Sequence, residues 1–221
     1  MKTKLSWLEI LLLAAPFLLL AFYWQALPAR VPVHWNLHNE VDGWESKGSG
    51  LLLLPLLNIG IVVLLHVLPR FDPKLRKRAG EASRMPTVLA ILGVTLAAFG
   101  DAIFCTLLFA ALGHAVPVGR IVFSACLFLF AVLGNYSATL RPNYFVGIRT
   151  PWTLESADTW RATHRLGGRL LFFGSLGLFV LQFFLNEVVF LFFFLGLLLA
   201  WTVWVFWYSW RHFHTLQSAA Q

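Results

Sequence analysis

The chain has 221 residues, of which 59% are hydrophobic and only 12% charged, about half the roughly 25% of charged residues in a soluble domain. That leaves too little polar surface to hold so much apolar side chain in water, which excludes an ordinary soluble globule and makes lipid part of the solvent. The formal charge of +7 does not indicate direct nucleic-acid binding, because the cations fall between apolar blocks rather than in one patch.

A bilayer core of about 30 Å needs roughly 20 helical residues, and six stretches meet that need: Leu5 to Ala26, Leu51 to Leu68, Pro86 to Leu112, Val118 to Tyr136, Leu170 to Leu185 and Val188 to Trp210. The first exceeds the roughly 7 to 15 residues of a signal-peptide core, so it reads as a retained anchor. After it comes a polar loop, 27–50, in which Pro28 and Pro32 preclude a continuing helix and Asp42-Gly43 reads as a turn. His34, Trp35, Asn36, Asp42, Gly43 and Trp44 are the candidate binding residues of this loop. His34, His38, Glu40 and Asp42 lack the spacing of a metal site, and none is expected.

The second span carries Asn58 and, near its end, His66, which reads as an interface residue. A basic segment, 70–85, follows. Asp101 lies in the middle of the third span, where a carboxylate costs about 2.5 to 3.5 kcal/mol on insertion scales. It needs a neutralising proton or a polar partner, and Asn58 is the candidate at matching depth. An intramembrane acid is a functional hypothesis by default; the competing explanation is one structural hydrogen bond between helices. The fourth span is strictly apolar only from Ile121 to Gly134, so Arg120 must snorkel outward. Cys105 and Cys126 fall inside apolar runs and read as buried thiols.

In the loop 137–169, Ser156 is a plausible N-cap, with Asp158 in the first turn behind it. Arg161, Arg165 and Arg169 recur every fourth residue as one basic face, with Trp160, His164 and Gly168 on a neighbouring one. The pattern predicts an interfacial amphipathic helix feeding the fifth span. Gly174 and Gly177 suggest close helix packing, Asn186 and Glu187 mark the turn before the sixth span, and Trp201, Trp204, Trp207 and Trp210 form an aromatic belt.

Charge segregation sets the orientation. With the N-terminus inside, fourteen Lys and Arg face the cytoplasm and three, Arg30, Lys47 and Arg120, face outward. The expectation is an all-α polytopic membrane protein of six transmembrane helices with both termini inside. Its parts are a two-helix unit (1–69) with an outer loop, the basic cytoplasmic loop (70–85), and a four-helix unit (86–221) containing the cytoplasmic loop 137–169.

Two loops carry a resemblance. Leu27-Pro28, Val31-Pro32, His34-Trp35-Asn36 and Asp42-Gly43-Trp44 resemble a bacterial membrane domain of unassigned function, although that pattern has a glycine where this chain has Asn39. Asparagine tolerates the left-handed conformation such a turn requires. Gly134-Asn135-Tyr136, Leu140-Arg141-Pro142-Asn143-Tyr144, Gly147-Ile148-Arg149-Thr150-Pro151-Trp152-Thr153-Leu154, Trp160 and Thr163-His164-Arg165 resemble the SdpI family of membrane immunity proteins. The resemblance implies a multi-pass protein of the bacterial cytoplasmic membrane that protects against a membrane-active peptide toxin. It also implies a signalling role in which a cytoplasmic repressor is recruited. Within the second motif, Asn143, Tyr144, Gly147, Arg149, Thr150, Pro151, Trp152, Trp160, His164 and Arg165 are the candidate inner-loop binding residues. No catalytic residue, metal or cofactor is implied, and the bilayer itself is an expected partner. The alternative is a transporter or membrane enzyme built on Asp101, with His164, Arg149 and Asn143 at its inner mouth; no internal repeat and no nucleophile beside a base support it.

Overall fold

The computed structural model describes residues 5–77 and 85–219. Lys2, Lys4, Arg78 and Arg84, which enter the charge count above, lie outside the described residues. In chain order the elements are α1 (Trp7–Tyr23), β1 (Arg30–Trp35), β2 (Val41–Ser46), α2 (Lys47–Phe71), α3 (Pro73–Lys77), α4 (Met85–Ala111), α5 (Val118–Ser137), α6 (Pro151–Glu155), α7 (Ala157–Leu181) and α8 (Glu187–Ala219). Four of these, α2, α4, α5 and α8, are long and apolar enough to cross a membrane, and α1 is a shorter apolar helix. Helix α7 is not in that set, because its first half carries Asp158, Arg161, Arg165 and Arg169.

The helices show how a bundle is built for lipid. In α2 the buried residues Leu51, Pro55, Asn58, Val62, His66 and Pro69 keep helical spacing, so one narrow stripe faces inward. Leu53, Leu56, Leu57, Ile61 and Leu64 of the same helix are exposed, which is the arrangement of a helix apolar all round and half immersed in hydrocarbon. Helix α4 is central and packs against α1, α2 and α5, while α7 packs on α5 and α8. The closest approach joins α5 to α7. A Cβ on Gly134 would lie 2.7 Å from the Gly168 carbonyl oxygen, and one on Gly168 would lie 2.6 Å from that of Gly134. Of the two glycines expected to mediate packing, Gly174 does so against α8, where a Cβ would lie 2.8 Å from Leu197 Cδ1, and Gly177 faces open space. Periodicity had placed small residues in the right helix without fixing which side of it meets a neighbour.

The loop 27–50 corrects the all-α expectation. It is an antiparallel hairpin, with Arg30 opposite Ser46, Val31 opposite Glu45, Pro32 opposite Trp44, His34 opposite Gly43 and Trp35 opposite Val41. Pro32 is tolerated because the ladder is irregular between Pro32 and His34. Asp42-Gly43 is therefore strand rather than turn. Gly43 is needed for a different reason, since a Cβ there would come within 2.7 Å of the His34 Cβ. The reversal lies between Asn36 and Glu40, where Asn36 Oδ1 accepts from the amides of His38 (2.9 Å) and Glu40 (3.1 Å). Asn39 sits there at φ +61°, in the left-handed region its side chain was expected to tolerate.

Asn39 also ties the hairpin to the bundle. Its Nδ2 donates to the Val116 carbonyl (3.2 Å), and its Oδ1 accepts from the Val118 amide (3.1 Å) at the start of α5. Asn39→Gly should keep the turn and lose the latch, whereas Asn39→Ala should lose both. In hydrogen-exchange mass spectrometry the glycine variant is expected to expose the 116–118 segment at a cost of about 1 to 2 kcal/mol, with the 36–40 turn still protected. Unchanged exchange at 116–118 would show that the latch holds nothing.

The predicted interfacial helix is not a separate element. It forms the first half of α7, which runs unbroken to Leu181, through Gly167 and Gly168 at the junction of the polar and apolar halves, where both are buried against neighbouring elements that hold the helix straight through the pair. Its N-cap is Ser156, whose side chain accepts from the Thr159 amide.

Candidate functional site

The hairpin end of the bundle contains a cavity of about 710 Å³ between the hairpin tip and helices α2, α4, α5 and α8. Its roof includes Val33, His34, Trp35, Asn36, Leu37 and Asn39, and its walls include Leu53, Leu57, Ile103, Leu107, Phe123 and Leu191. Three of the predicted binding residues, His34, Trp35 and Asn36, thus share one cavity. Asp42 stands behind them, its Oδ1 2.5 Å from His34 Nδ1, and orients the imidazole. Trp44 lies elsewhere, beside a separate cavity of about 450 Å³ that Trp35 also lines. Two carboxylates reach the larger cavity, Glu45 from β2 and Glu187 from the start of α8. Neither was singled out in the sequence, where Glu187 marked only a turn.

At the opposite end, the second motif folds into a clasp. Asn143 Nδ2 donates to the carbonyls of Arg141 (2.8 Å) and Val146 (2.9 Å), and its Oδ1 accepts from the amides of Phe145 (2.9 Å) and Val146 (2.7 Å). Arg149 donates to the Tyr144 carbonyl at 2.7 Å. Thr150 and Thr153 form a capping box on α6, where Pro151 is the first residue, and the Thr150 hydroxyl reaches Ser209 of α8 at 3.0 Å. Trp152 packs its edge on Phe206. Buried Asp72 accepts from the Tyr144 amide at 2.6 Å and from the amides of Lys74 and Leu75, joining this loop to α3. Lys74 Nζ adds a bond to the Leu154 carbonyl and lies over the Tyr144 ring. Asp72 was missed because its partner is 72 residues away.

Trp160 and His164 form the floor of the clasp. Both are fully buried, and their rings stack with centroids 4.0 Å apart. His164 Nε2 accepts from the Ile148 amide and its Nδ1 donates to the Trp160 carbonyl, each at 2.9 Å. The amide can only donate, so the imidazole is held neutral with its proton on Nδ1. Burial pulls its pKa down from 6.5 to about 4, partly opposed by the bond to Trp160. Gly147, at φ +115°, passes so close to the Nε2 edge of the ring that a Cβ there would lie 2.4 Å from that nitrogen. Arg165 stands apart, exposed on the outer face of α7 with Arg161 and Arg169. These residues are thus brought together, Arg165 excepted, as a framework whose hydrogen bonds are directed at one another.

A pH dependence follows. The unfolded chain takes up the His164 proton near pH 6.5 and the folded chain only near pH 4, so stability is fully present above about 6.5 and falls as pH drops through that window. The expected loss is about 3 kcal/mol by pH 4. It is read as the difference between the unfolding profiles of the native chain and of His164→Gln, whose own profile should be flatter. Parallel profiles would rule the titration out.

Within the spans, the suggested pairing of Asn58 with Asp101 is not formed. Asn58 Nδ2 instead donates to the Ala97 carbonyl at 3.1 Å, and Asp101 Oδ1 is buried with no hydrogen-bond partner among the described residues. Shared depth did not fix shared azimuth. His66 is likewise not an interface residue: it is buried, with Nε2 2.6 Å from Glu9 Oε1 of α1. Glu9 escaped notice although Ser6-Trp7-Leu8-Glu9 has the spacing of a capping box.

Residues 139–209 match the model of the SdpI/YfhL protein family, and residues 11–59 match a domain of unknown function, DUF1648. Over 197 residues the chain is 23% identical to a protein of Bacillus subtilis (strain 168) described as immunity protein SdpI, covering 89% of this chain and 90% of that one. No solved structure matches.

Proposed function

From a membrane protein that carries an SdpI-family segment behind a DUF1648 domain, we propose an immunity protein of the bacterial cytoplasmic membrane that protects its host against a membrane-active peptide. In this reading six helices cross the bilayer, both termini lie inside, and the hairpin end faces the medium from which a toxin arrives. The observation that carries the reading beyond resemblance is the apolar cavity under the hairpin. It opens where such a peptide would first meet the protein, and His34, Trp35 and Asn36 form part of its roof. The opposite end offers the exposed Arg161, Arg165 and Arg169 as a surface for recruiting a cytoplasmic repressor.

The test is survival of a sensitive bacterium expressing the protein, against an empty vector, under a panel of membrane-active peptides. Selective protection is expected. It should fall in Trp35→Ala and Asp42→Ala and persist in Arg161→Ala with Arg165→Ala, which should alter signalling alone. Absence of protection against every peptide, with expression verified, overturns the proposal.

A second reading, proton or substrate chemistry at Asp101, is favoured by its unpartnered buried oxygen. It is weakened because His164, Asn143 and Arg149 are committed to the clasp. Asp101→Asn separates the two: full protection by the variant assigns Asp101 to packing.

A further inference from the structure

The geometry points to a ligand class for the hairpin-end cavity: a hydrophobic peptide segment carrying one cationic group, lysine ammonium, arginine guanidinium or terminal amine, with the cation seated on Glu187. This rests on the immunity reading and specifies the partner's chemistry at that same cavity.

The volume of about 710 Å³ falls in the range of roughly 300 to 1,000 Å³ typical of ligand pockets. Its helix-borne walls, among them Leu57, Leu107, Phe123 and Leu191, suit apolar side chains. Among the described residues its lining carries two carboxylates, Glu45 and Glu187, and no Lys or Arg, and the Nδ1 of its imidazole, His34, is turned to Asp42. Glu45 already accepts from the Ser49 hydroxyl at 3.1 Å. Glu187 has no hydrogen-bond or ion-pair partner among the described residues, and its carboxylate rests against Gly119 in the first turn of α5, where a Cβ would be 2.6 Å from Oε2. A carboxylate beside an apolar cavity is best satisfied by a cation that arrives with apolar flanks, because the surroundings that make an unpaired charge costly also strengthen the pair. A phospholipid amine would meet the same carboxylate, but it brings a phosphate beside it, and the described lining offers no Lys or Arg to hold that phosphate, while its one imidazole, His34, is engaged by Asp42. The charge pattern therefore favours a peptide. Gly119 has a part in this, since any larger residue would displace the Glu187 carboxylate.

The full chain is placed in phosphatidylcholine nanodiscs and titrated with a labelled Leu- and Phe-rich peptide bearing one lysine, and with its twin in which that lysine is acetylated. The native chain should bind the lysine peptide about tenfold or more tightly than the twin. Glu187→Gln should erase that ratio, and Leu57→Trp, which fills the cavity, should weaken both peptides. Circular dichroism and unfolding temperature matching the native chain show that each variant is folded, and Glu45→Gln should keep the ratio. Equal binding of the two peptides by the native chain overturns the assignment, as does an unchanged ratio in Glu187→Gln. Displacement of the peptide by added phosphatidylethanolamine also overturns it, by making the occupant a lipid. The survival assay stands apart: protection without charge discrimination sinks this site and spares immunity, and discrimination without protection does the reverse.

Discussion

Glu9→Ala is expected to destabilise the protein by about 3 to 5 kcal/mol, the cost of removing one member of a buried hydrogen-bonded pair and leaving the other unsatisfied. Glu9 is fully buried and His66 nearly so, and Glu9 Oε1 lies 2.6 Å from the His66 ring. The second carboxylate oxygen accepts from the Ser6 amide (2.6 Å) and hydroxyl (2.8 Å). One side chain therefore closes the capping box of α1 and pins α1 to α2. Its loss opens both contacts, the cap being worth about 1 kcal/mol of the total. Burying the pair is itself costly, so Glu9→Leu with His66→Leu should recover most of the loss. Unfolding in detergent micelles separates the two cases. A double variant as unstable as Glu9→Ala would show that the loss does not come from an orphaned polar group. Gly93 leaves room for the pair, because a Cβ at that position would collide with the Glu9 carboxylate.

Trp160→Ala is expected to cost a similar amount, about 3 to 5 kcal/mol, at the other end of the molecule. The indole is fully buried among Met85, Val88, Leu89, Leu92 and Leu140. Its Nε1 donates to the Leu140 carbonyl at 2.8 Å, and its face carries His164. Truncation removes the floor on which the His164 acceptor for the Ile148 amide rests, so the 138–156 loop should become open to protease while the apolar helices stay protected. Trp160→Phe keeps the ring face and loses the hydrogen bond, and should cost about 1 to 2 kcal/mol. Loss of the same magnitude in both variants would assign the effect to the bond rather than to the packed volume.

The helices were legible because lipid imposes a length and a composition, and both are written in the linear sequence. What stayed hidden depends on azimuth and on distant partners. Asn58 and Asp101 share a depth but not a side, and of the two glycines expected to pack helices Gly174 does so against α8 while Gly177 does not, the approach of α5 to α7 running instead through Gly134 and Gly168. The hairpin escaped because its strands are six residues each and contain Pro32 and Gly43, residues that ordinarily argue against strand. Asn39 was read correctly as a left-handed turn residue. Its second use, as a latch on Val116 and Val118, joins positions 77 and 79 residues apart. The Ser156 cap and the separation of Trp160 and His164 from the arginine face were legible because they repeat within a few residues. For the candidate site, the roof was visible in the hairpin motif, whereas Glu187 becomes part of it only when α8 folds back beside α5.

Helix α8 has 33 residues, a rod of about 50 Å at 1.5 Å per residue, against a hydrocarbon layer of about 30 Å. It is fastened to the clasp at two heights, through Trp201 to the Gly167 carbonyl (2.7 Å) and through Ser209 to Thr150 (3.0 Å). Its apolar run ends near Trp210, where Arg211, His212 and His214 begin a polar last portion, so the surplus length projects beyond the hydrocarbon layer. The Ser209 contact with Thr150 sits at that transition, which makes α8 a mast on which the 138–156 loop is stayed at the edge of the apolar zone.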